Sequence, residues 1–93
     1  MTYGQYIRKL RIAKNLSQPE LASMLKRTRQ YVSQVETGRQ TFSPEVEADL
    51  IVALELSPGE IRTIGRLHNA FRAKQRRDKM KAHRQAVAQG LNR

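Results

Sequence analysis

Four polar side chains in the middle of the chain have the hydrogen-bonding chemistry needed to read the edges of DNA bases. They lie between Thr28 and Thr37, and they are Arg29, Gln30, Ser33 and Gln34. An arginine can bind guanine O6 and N7 with two hydrogen bonds, and a glutamine can do the same with adenine N6 and N7. Val32 and Val35 lie in the same segment at helical spacing and are expected to point the other way. The segment 28–37 therefore predicts a short amphipathic helix whose outer face suits a DNA major groove.

A plainer interpretation stands beside each of these assignments. Arg29 can hold a phosphate without carrying any sequence information, and the two glutamines can belong to an ordinary solvated helix face. Ser33 is short enough to let the helix approach a groove, but a serine on an exposed turn is also unremarkable. The base-reading role therefore depends on which elements position this helix.

Five helices and no strands are predicted, because the chain shows no sustained alternation of apolar and polar residues. The first helix runs from about Tyr3 to Lys14 and ends at Asn15, a residue that tolerates the left-handed conformation. Polar capping residues mark where the others begin, and Gly38 marks the end of the third. These predicted caps are Ser17, Thr28, Ser43 and Ser57. The fifth helix begins near Pro58 and is expected to continue through residue 88 on propensity alone.

Charge divides the chain into two parts. The 93 residues carry a formal net charge of +10, and there is no cysteine for a disulfide or a thiolate metal site. Residues 1–71 hold 10 basic and 7 acidic residues, whereas residues 72–93 hold 8 basic and 1 acidic residue. We expect a DNA-binding domain over 3–71, followed by a basic extension over 72–93. No apolar run is long enough for a signal peptide or a membrane span, so a cytoplasmic, nucleoid-associated protein is expected.

Residues 4 to about 61 resemble the Cro/repressor-type, or XRE, family of helix-turn-helix proteins. The resemblance rests on Ser17-Gln18, on the small Ala22 where two helices cross, on Arg11 paired with Glu36, and on the closing sequence Glu36-Thr37-Gly38-Arg39. It implies an all-α, five-helix, lambda-repressor-like fold. Two positions depart from the family pattern: Lys26 replaces the usual turn glycine, and Arg27 replaces the apolar residue after it.

The resemblance also assigns roles to residues that are not expected to read bases. Arg11 and Glu36 are expected to form a structural ion pair. A further set is expected to contact the DNA backbone rather than the bases; within the domain this set is Gln18, Arg27, Tyr31, Arg39 and Gln40. Tyr31 can equally be a packed aromatic residue, and Arg39 and Gln40 can belong to an ordinary polar loop.

The fifth helix has an apolar stripe with two interpretations. The stripe either covers the domain core or pairs two subunits about a two-fold axis, and it consists of Ile61, Ile64, Leu67 and Phe71. The family resemblance favours a homodimer that binds two half-sites. His68 beside this stripe is interpreted as a packing or rim residue. In the extension, Lys74, Arg76 and Arg77 are expected to add phosphate contacts, although a basic run of this kind can also remain a solvated helix or a disordered arm.

The function predicted from these features is a sequence-specific transcriptional regulator. It is most simply a repressor of phage, mobile-element or restriction-system type that binds an inverted-repeat operator in double-stranded DNA. The alternative is an antitoxin or antiactivator that acts through a protein partner, such as a toxin, an activator or RNA polymerase. No catalytic residues, cofactor or metal site are predicted, since His68 and His83 lie far apart with no cysteine between them.

Overall fold

The computed structural model describes residues 1–88, with side chains through Lys81, and it is all-α, as predicted. The five helices are α1 (Tyr3–Ala13), α2 (Gln18–Met24), α3 (Arg29–Glu36), α4 (Pro44–Ala53) and α5 (Pro58–Ala88). Residues 89–93 of the predicted extension lie outside the described part of the chain.

Each helix begins where the chain offers a capping side chain. Ser17 accepts a hydrogen bond from the backbone N–H of Glu20, and the Glu20 carboxylate accepts one in return from the backbone N–H of Ser17. These bonds hold the pKa of Glu20 below its ordinary value. Ser57 and Glu60 form the same capping box at α5. Both boxes satisfy backbone donors that a helix start leaves unpaired.

The first four helices end in the same backbone motif. The second residue after each helix has a positive φ: 57° at Asn15, 54° at Lys26, 88° at Gly38 and 52° at Glu55. The following N–H then bonds back to a carbonyl in the last turn, for example Arg27 N to Ala22 O at 2.9 Å and Arg39 N to Gln34 O at 2.9 Å. This Schellman geometry turns the chain sharply and keeps the connections short. Three of the four positions are not glycine, and each such residue costs roughly 1 kcal/mol.

A single apolar core joins all five helices. The largest fully buried side chain of the described residues is Phe42, which lies in the connection between α3 and α4. The same core cluster includes Leu21 from α2, Val32 from α3 and Leu50 from α4. Among the α5 side chains through Lys81, only Ile64 and Leu67 are buried, so this part of α5 leaves the core within its first three turns.

Beyond that point α5 continues as a helix, and none of its side chains from Arg72 to Lys81 belongs to the core. At 31 residues it is about 46 Å long, which explains the 51 Å long axis of a molecule only 27 Å and 21 Å across. The side chains from Arg72 to Lys81 are exposed, apart from a half-buried Ala73.

Candidate nucleic-acid interface

The outer side of α3 presents the four predicted side chains together. Arg29 and Gln30 in its first turn are exposed, and Ser33 and Gln34 one turn later are half-buried. We call these four residues the reading face. A shallow hollow runs along it, lined by Gln30, Ser33, Gln34, Thr37 and Arg39. Val32 and Val35 on the inner side are fully buried, so the orientation of α3 about its own axis is set by the core.

One member of the reading face is held by a neighbour that the sequence did not identify. The Gln40 side chain donates from Nε2 to Oε1 of Gln34 at 2.7 Å. This bond uses one lone pair of the Gln34 carbonyl oxygen and leaves the other lone pair and the amide hydrogens for contacts outward. This contact restricts the rotamers of Gln34 and joins the loop after α3 to the reading face.

The C-terminal end of α3 is secured by the ion pair between Arg11 and Glu36. Arg11 donates from Nε to Glu36 Oε2 at 2.7 Å and from Nη2 to Oε1 at 3.0 Å, and its Nη1 donates to Leu16 O at 2.8 Å. The hydrogen bond to Glu36 raises the pKa of the guanidinium. Gln18 adds a third donor to the same carboxylate, from Nε2 to Oε1 at 3.1 Å. One carboxylate thus ties α1, α2 and α3 together.

That arrangement gives Gln18 an internal partner. Its side-chain amide points at Glu36 and is half-buried. The predicted contact between Gln18 and DNA backbone remains a prediction, and the helix start it occupies offers backbone N–H groups as well.

Arginines follow the two helix ends that border the reading face. In a Schellman motif the residue after the left-handed position usually packs on the last turn. Leu16 and Leu56 occupy this position after α1 and α4, but Arg27 and Arg39 occupy it after α2 and α3. Both arginines are exposed, and Arg27 donates to the Lys26 carbonyl at 3.2 Å. The two departures noted in the sequence, Lys26 and Arg27, therefore add positive charge before α3 without disturbing the turn, and Arg39 adds charge after α3.

Tyr31 is a packed aromatic residue, which is one of the two roles that the sequence left open. Its ring is half-buried and packs edge-on against Phe42, with centroids 5.4 Å apart. Its hydroxyl accepts a hydrogen bond from the backbone N–H of Ser43 at 3.1 Å, at the start of α4. Tyr31 thus contributes to the core, and its predicted contact with the DNA backbone remains a prediction.

The four α5 residues predicted to form a dimer interface do not share one surface. Ile64 and Leu67 are 2% and 6% exposed and belong to the core of the single chain. Ile61 is 37% exposed and Phe71 is half-buried, three turns apart. Phe71 borders an apolar hollow lined by Met1, Thr2, Tyr3, Leu67 and Ala70. Of the four predicted residues, Phe71 and Ile61 are the two that remain accessible for an interface, because Ile64 and Leu67 are already covered.

His68 lies at the centre of a polar network that sequence reasoning missed. Its Nδ1 lies 2.7 Å from Glu47 Oε2, and its Nε2 lies 3.2 Å from Thr41 Oγ1. The hydroxyl of Tyr3 donates to the same Glu47 oxygen at 2.6 Å, and its ring packs edge-on against His68. Burial, followed by the bond to Glu47, raises the pKa of Tyr3 far above its ordinary value, so this hydroxyl is always a donor. The network fastens α5 to α1, to α4 and to the loop after α3.

We expect Tyr3→Phe to lower the free energy of unfolding by about 1.5–3 kcal/mol, because the change removes a hydrogen bond to a partly buried carboxylate. Urea denaturation followed by circular dichroism would measure the loss. Tyr6→Phe is the matched control, since Tyr6 lies on the same helix, is half-buried and makes no side-chain hydrogen bond within residues 1–81. Equal stability of the Tyr3 variant and the wild type would contradict the importance of this network.

Comparison with known proteins agrees with this geometry. A family model described as a helix-turn-helix domain matches residues 2–64, which is more than half of the chain. The chain belongs to this helix-turn-helix family. Its two defining helices are α2 and α3, and the domain makes the protein a DNA-binding regulator in the broad sense. No curated protein and no solved structure showed a significant match.

The helix-turn-helix family is typically non-enzymatic. Among the described residues, no three His, Cys, Asp or Glu side chains gather where they could hold a metal ion. None of the helices in the described part is both long enough and apolar enough to cross a membrane.

Proposed function

We propose that this helix-turn-helix protein is a sequence-specific transcriptional repressor of the XRE type, acting in the cytoplasm on the nucleoid. It binds an inverted-repeat operator as a homodimer and excludes RNA polymerase by occupying the site. The observation that carries the proposal is the reading face of α3, which projects Arg29, Gln30, Ser33 and Gln34 from one side of a helix whose other side is fully buried. In proteins of this type the corresponding helix enters the major groove with its N-terminal residues near the bases.

Electrostatics support this orientation. Lys26, Arg27 and Arg39 flank the reading face and are exposed, whereas the nearest acid, Glu36, is paired with Arg11 and its side chain is only 3% exposed. The exposed acids Glu45 and Asp49 lie on α4, where they border the same surface depression as Lys26 and Arg27. A duplex approaching α3 thus meets cations at both ends of the helix, which favours phosphate contacts on either side of the groove.

The dimer is proposed from the surface around Phe71. An apolar hollow beside Phe71, together with the exposed Ala70 and a Met1 that is 69% exposed, offers a patch that a second copy can cover. One short reading helix binds weakly by itself, and joining two of them converts the second contact into an intramolecular one.

Selection of binding sites from random duplexes, followed by footprinting, tests the proposal. The wild type is expected to return a short inverted repeat. Gln34→Ala is expected to relax the preference at one base pair in each half-site, at a cost of about 1–3 kcal/mol, because it removes one bidentate base contact. Gln75→Ala, an exposed glutamine on α5, is the matched control and should leave the selected sequence unchanged.

An unchanged motif in the Gln34 variant would contradict the assigned orientation of α3, and a single half-site in place of a repeat would contradict the dimer.

A second candidate function is binding to a protein, as an antitoxin or antiactivator does. It is favoured by an exposed apolar pair, Val52 at 77% and Met24 at 44%, which line one depression between α2 and α4 together with Glu45 and Asp49. Isolated exposed apolar residues are common on protein surfaces, so this observation is weaker than the reading face. Feeble, sequence-independent DNA binding combined with tight binding to a polypeptide would favour this second function.

A further inference from the structure

The basic residues of the α5 extension separate onto two opposite faces of one helix. Residues spaced by three or four positions share a face, and neighbours in sequence lie roughly 100° apart. One face holds Arg72, Arg76 and Lys79, which we call the loop face. The other holds Lys74, Arg77 and Lys81, which we call the outer face. All six side chains are exposed.

The loop face is uniformly basic within the described residues. Its three cations line one surface depression together with the neutral Asn69 and Gln75. The outer face differs because Asp78 lies on it, four residues after Lys74 and three before Lys81. At that spacing a carboxylate offsets part of the positive field of its neighbours. The two faces therefore carry the same number of cations but differ in net charge.

The loop face also continues the line of contacts that starts at the reading face. Gln34 is bonded to Gln40, the next residue in the chain is Thr41, and Thr41 Oγ1 lies 3.2 Å from His68 Nε2 on α5. Arg72 follows His68 by four residues and so lies one turn further along the same face. The outer face lies on a different side of α5. Lys74 follows Ala70 by four residues, and Ala70 lines the hollow beside Phe71.

We propose that the loop face of α5 is a second DNA-contacting surface that binds backbone phosphates next to the base pairs read by α3. This inference rests on the proposed function. The sequence predicted phosphate contacts for Lys74, Arg76 and Arg77. The loop face keeps Arg76 from that set and adds Arg72 and Lys79. Arg72 and Lys79 are separated by about 10 Å along the helix axis, the rise of roughly three base pairs of duplex. The surface gives affinity and salt dependence but does not change the preferred sequence.

Two triple variants of the full chain test the inference. The first variant neutralises the loop face with Arg72→Gln, Arg76→Gln and Lys79→Gln. The second neutralises the outer face with Lys74→Gln, Arg77→Gln and Lys81→Gln. Each variant loses three positive charges from exposed helical positions, so both should unfold at the wild-type temperature. Affinity for the selected duplex is then measured from 50 to 300 mM salt by fluorescence anisotropy.

The loop-face variant is expected to flatten the slope of log K against log salt by about 2–3 per bound subunit, since each phosphate contact contributes about 0.9. The outer-face variant should change this slope by less than 1. Hydroxyl-radical footprints should lose backbone protection flanking each half-site only in the loop-face variant, with the selected sequence retained.

Equal slopes for the two variants, or a larger change for the outer face, would overturn the inference while leaving the proposed function intact. A wild type that selects no sequence at all would instead refute the proposed function itself.

Discussion

Arg11→Ala is expected to lower the free energy of unfolding by about 3–5 kcal/mol, because it leaves the Glu36 carboxylate buried without its cationic partner. The Glu36 side chain is 3% exposed and accepts two hydrogen bonds from Arg11. After the substitution only the amide of Gln18 remains bonded to it. Domains of this size are stable by about 5–15 kcal/mol, so the loss would remove a large part of the total.

Urea denaturation followed by circular dichroism measures this effect, and Arg8→Ala is the matched control. Arg8 lies on the same helix one turn earlier, but its side chain is exposed. Its removal should change the stability by less than about 0.5 kcal/mol. Arg11→Lys should recover only part of the loss, because an ammonium group cannot reproduce the two-pronged contact with the carboxylate.

A loss below about 1 kcal/mol in the Arg11→Ala variant would show that the pair contributes little to the fold. A drop in DNA affinity without loss of stability would point instead to a direct contact between Arg11 and DNA.

Gly4→Ala is expected to cost about 3 kcal/mol, near the upper end of what overpacking of a well-packed site costs. A Cβ atom at this position would collide with the backbone oxygen of Val35 and lie 2.8 Å from that of Glu36. Both atoms belong to the last turn of α3, and a backbone carbonyl cannot rotate away as a flexible side chain can. Gly4 therefore allows α1 to approach the end of the reading helix closely.

The matched control for Gly4 is Gly65→Ala on α5. Gly65 is exposed, and a Cβ atom built there meets nothing within 4 Å. Because alanine restricts the unfolded chain and fits a helix, this substitution should stabilise the protein by about 0.4–1 kcal/mol. Thermal and urea unfolding of the two variants should thus move in opposite directions, and a neutral Gly4→Ala variant would contradict the close approach of α1 to α3.

These two predictions concern the same place, the C-terminal end of α3. Arg11 and Gly4 both lie on α1, and both act on the last turn of the reading helix. Gln40 holds the reading face from the loop that follows. Contacts to base edges require the position of a helix to be fixed to within a fraction of an ångström. The contacts of Arg11, Gly4 and Gln40 restrict the position of α3 in this way.

Local signals in the sequence were enough to predict the elements. The capping residues Ser17, Thr28, Ser43 and Ser57 each mark a helix start in the structure, because a cap needs only a side chain and the next three residues. The inward valines of α3 were equally clear from their spacing. The family resemblance supplied the pairing of Arg11 with Glu36, which are 25 residues apart and share no local pattern.

What the sequence could not provide were contacts between residues distant along the chain. Phe42 gave no periodic signal because it lies in a connection, yet it is fully buried among residues of the other helices. The polar network around His68 joins residues from three helices and a loop, namely Tyr3, Thr41, Glu47 and His68. Only packing brings their polar atoms within hydrogen-bond distance.

Helical spacing alone determined that the side chains of α3 divide into an apolar side and a polar side. The tertiary structure decided which of the α5 residues are covered, since an apolar stripe has the same spacing whether it faces its own core or a second subunit. Ile64 and Leu67 face the core and Phe71 lies at its margin, because α5 leaves the other helices at that point.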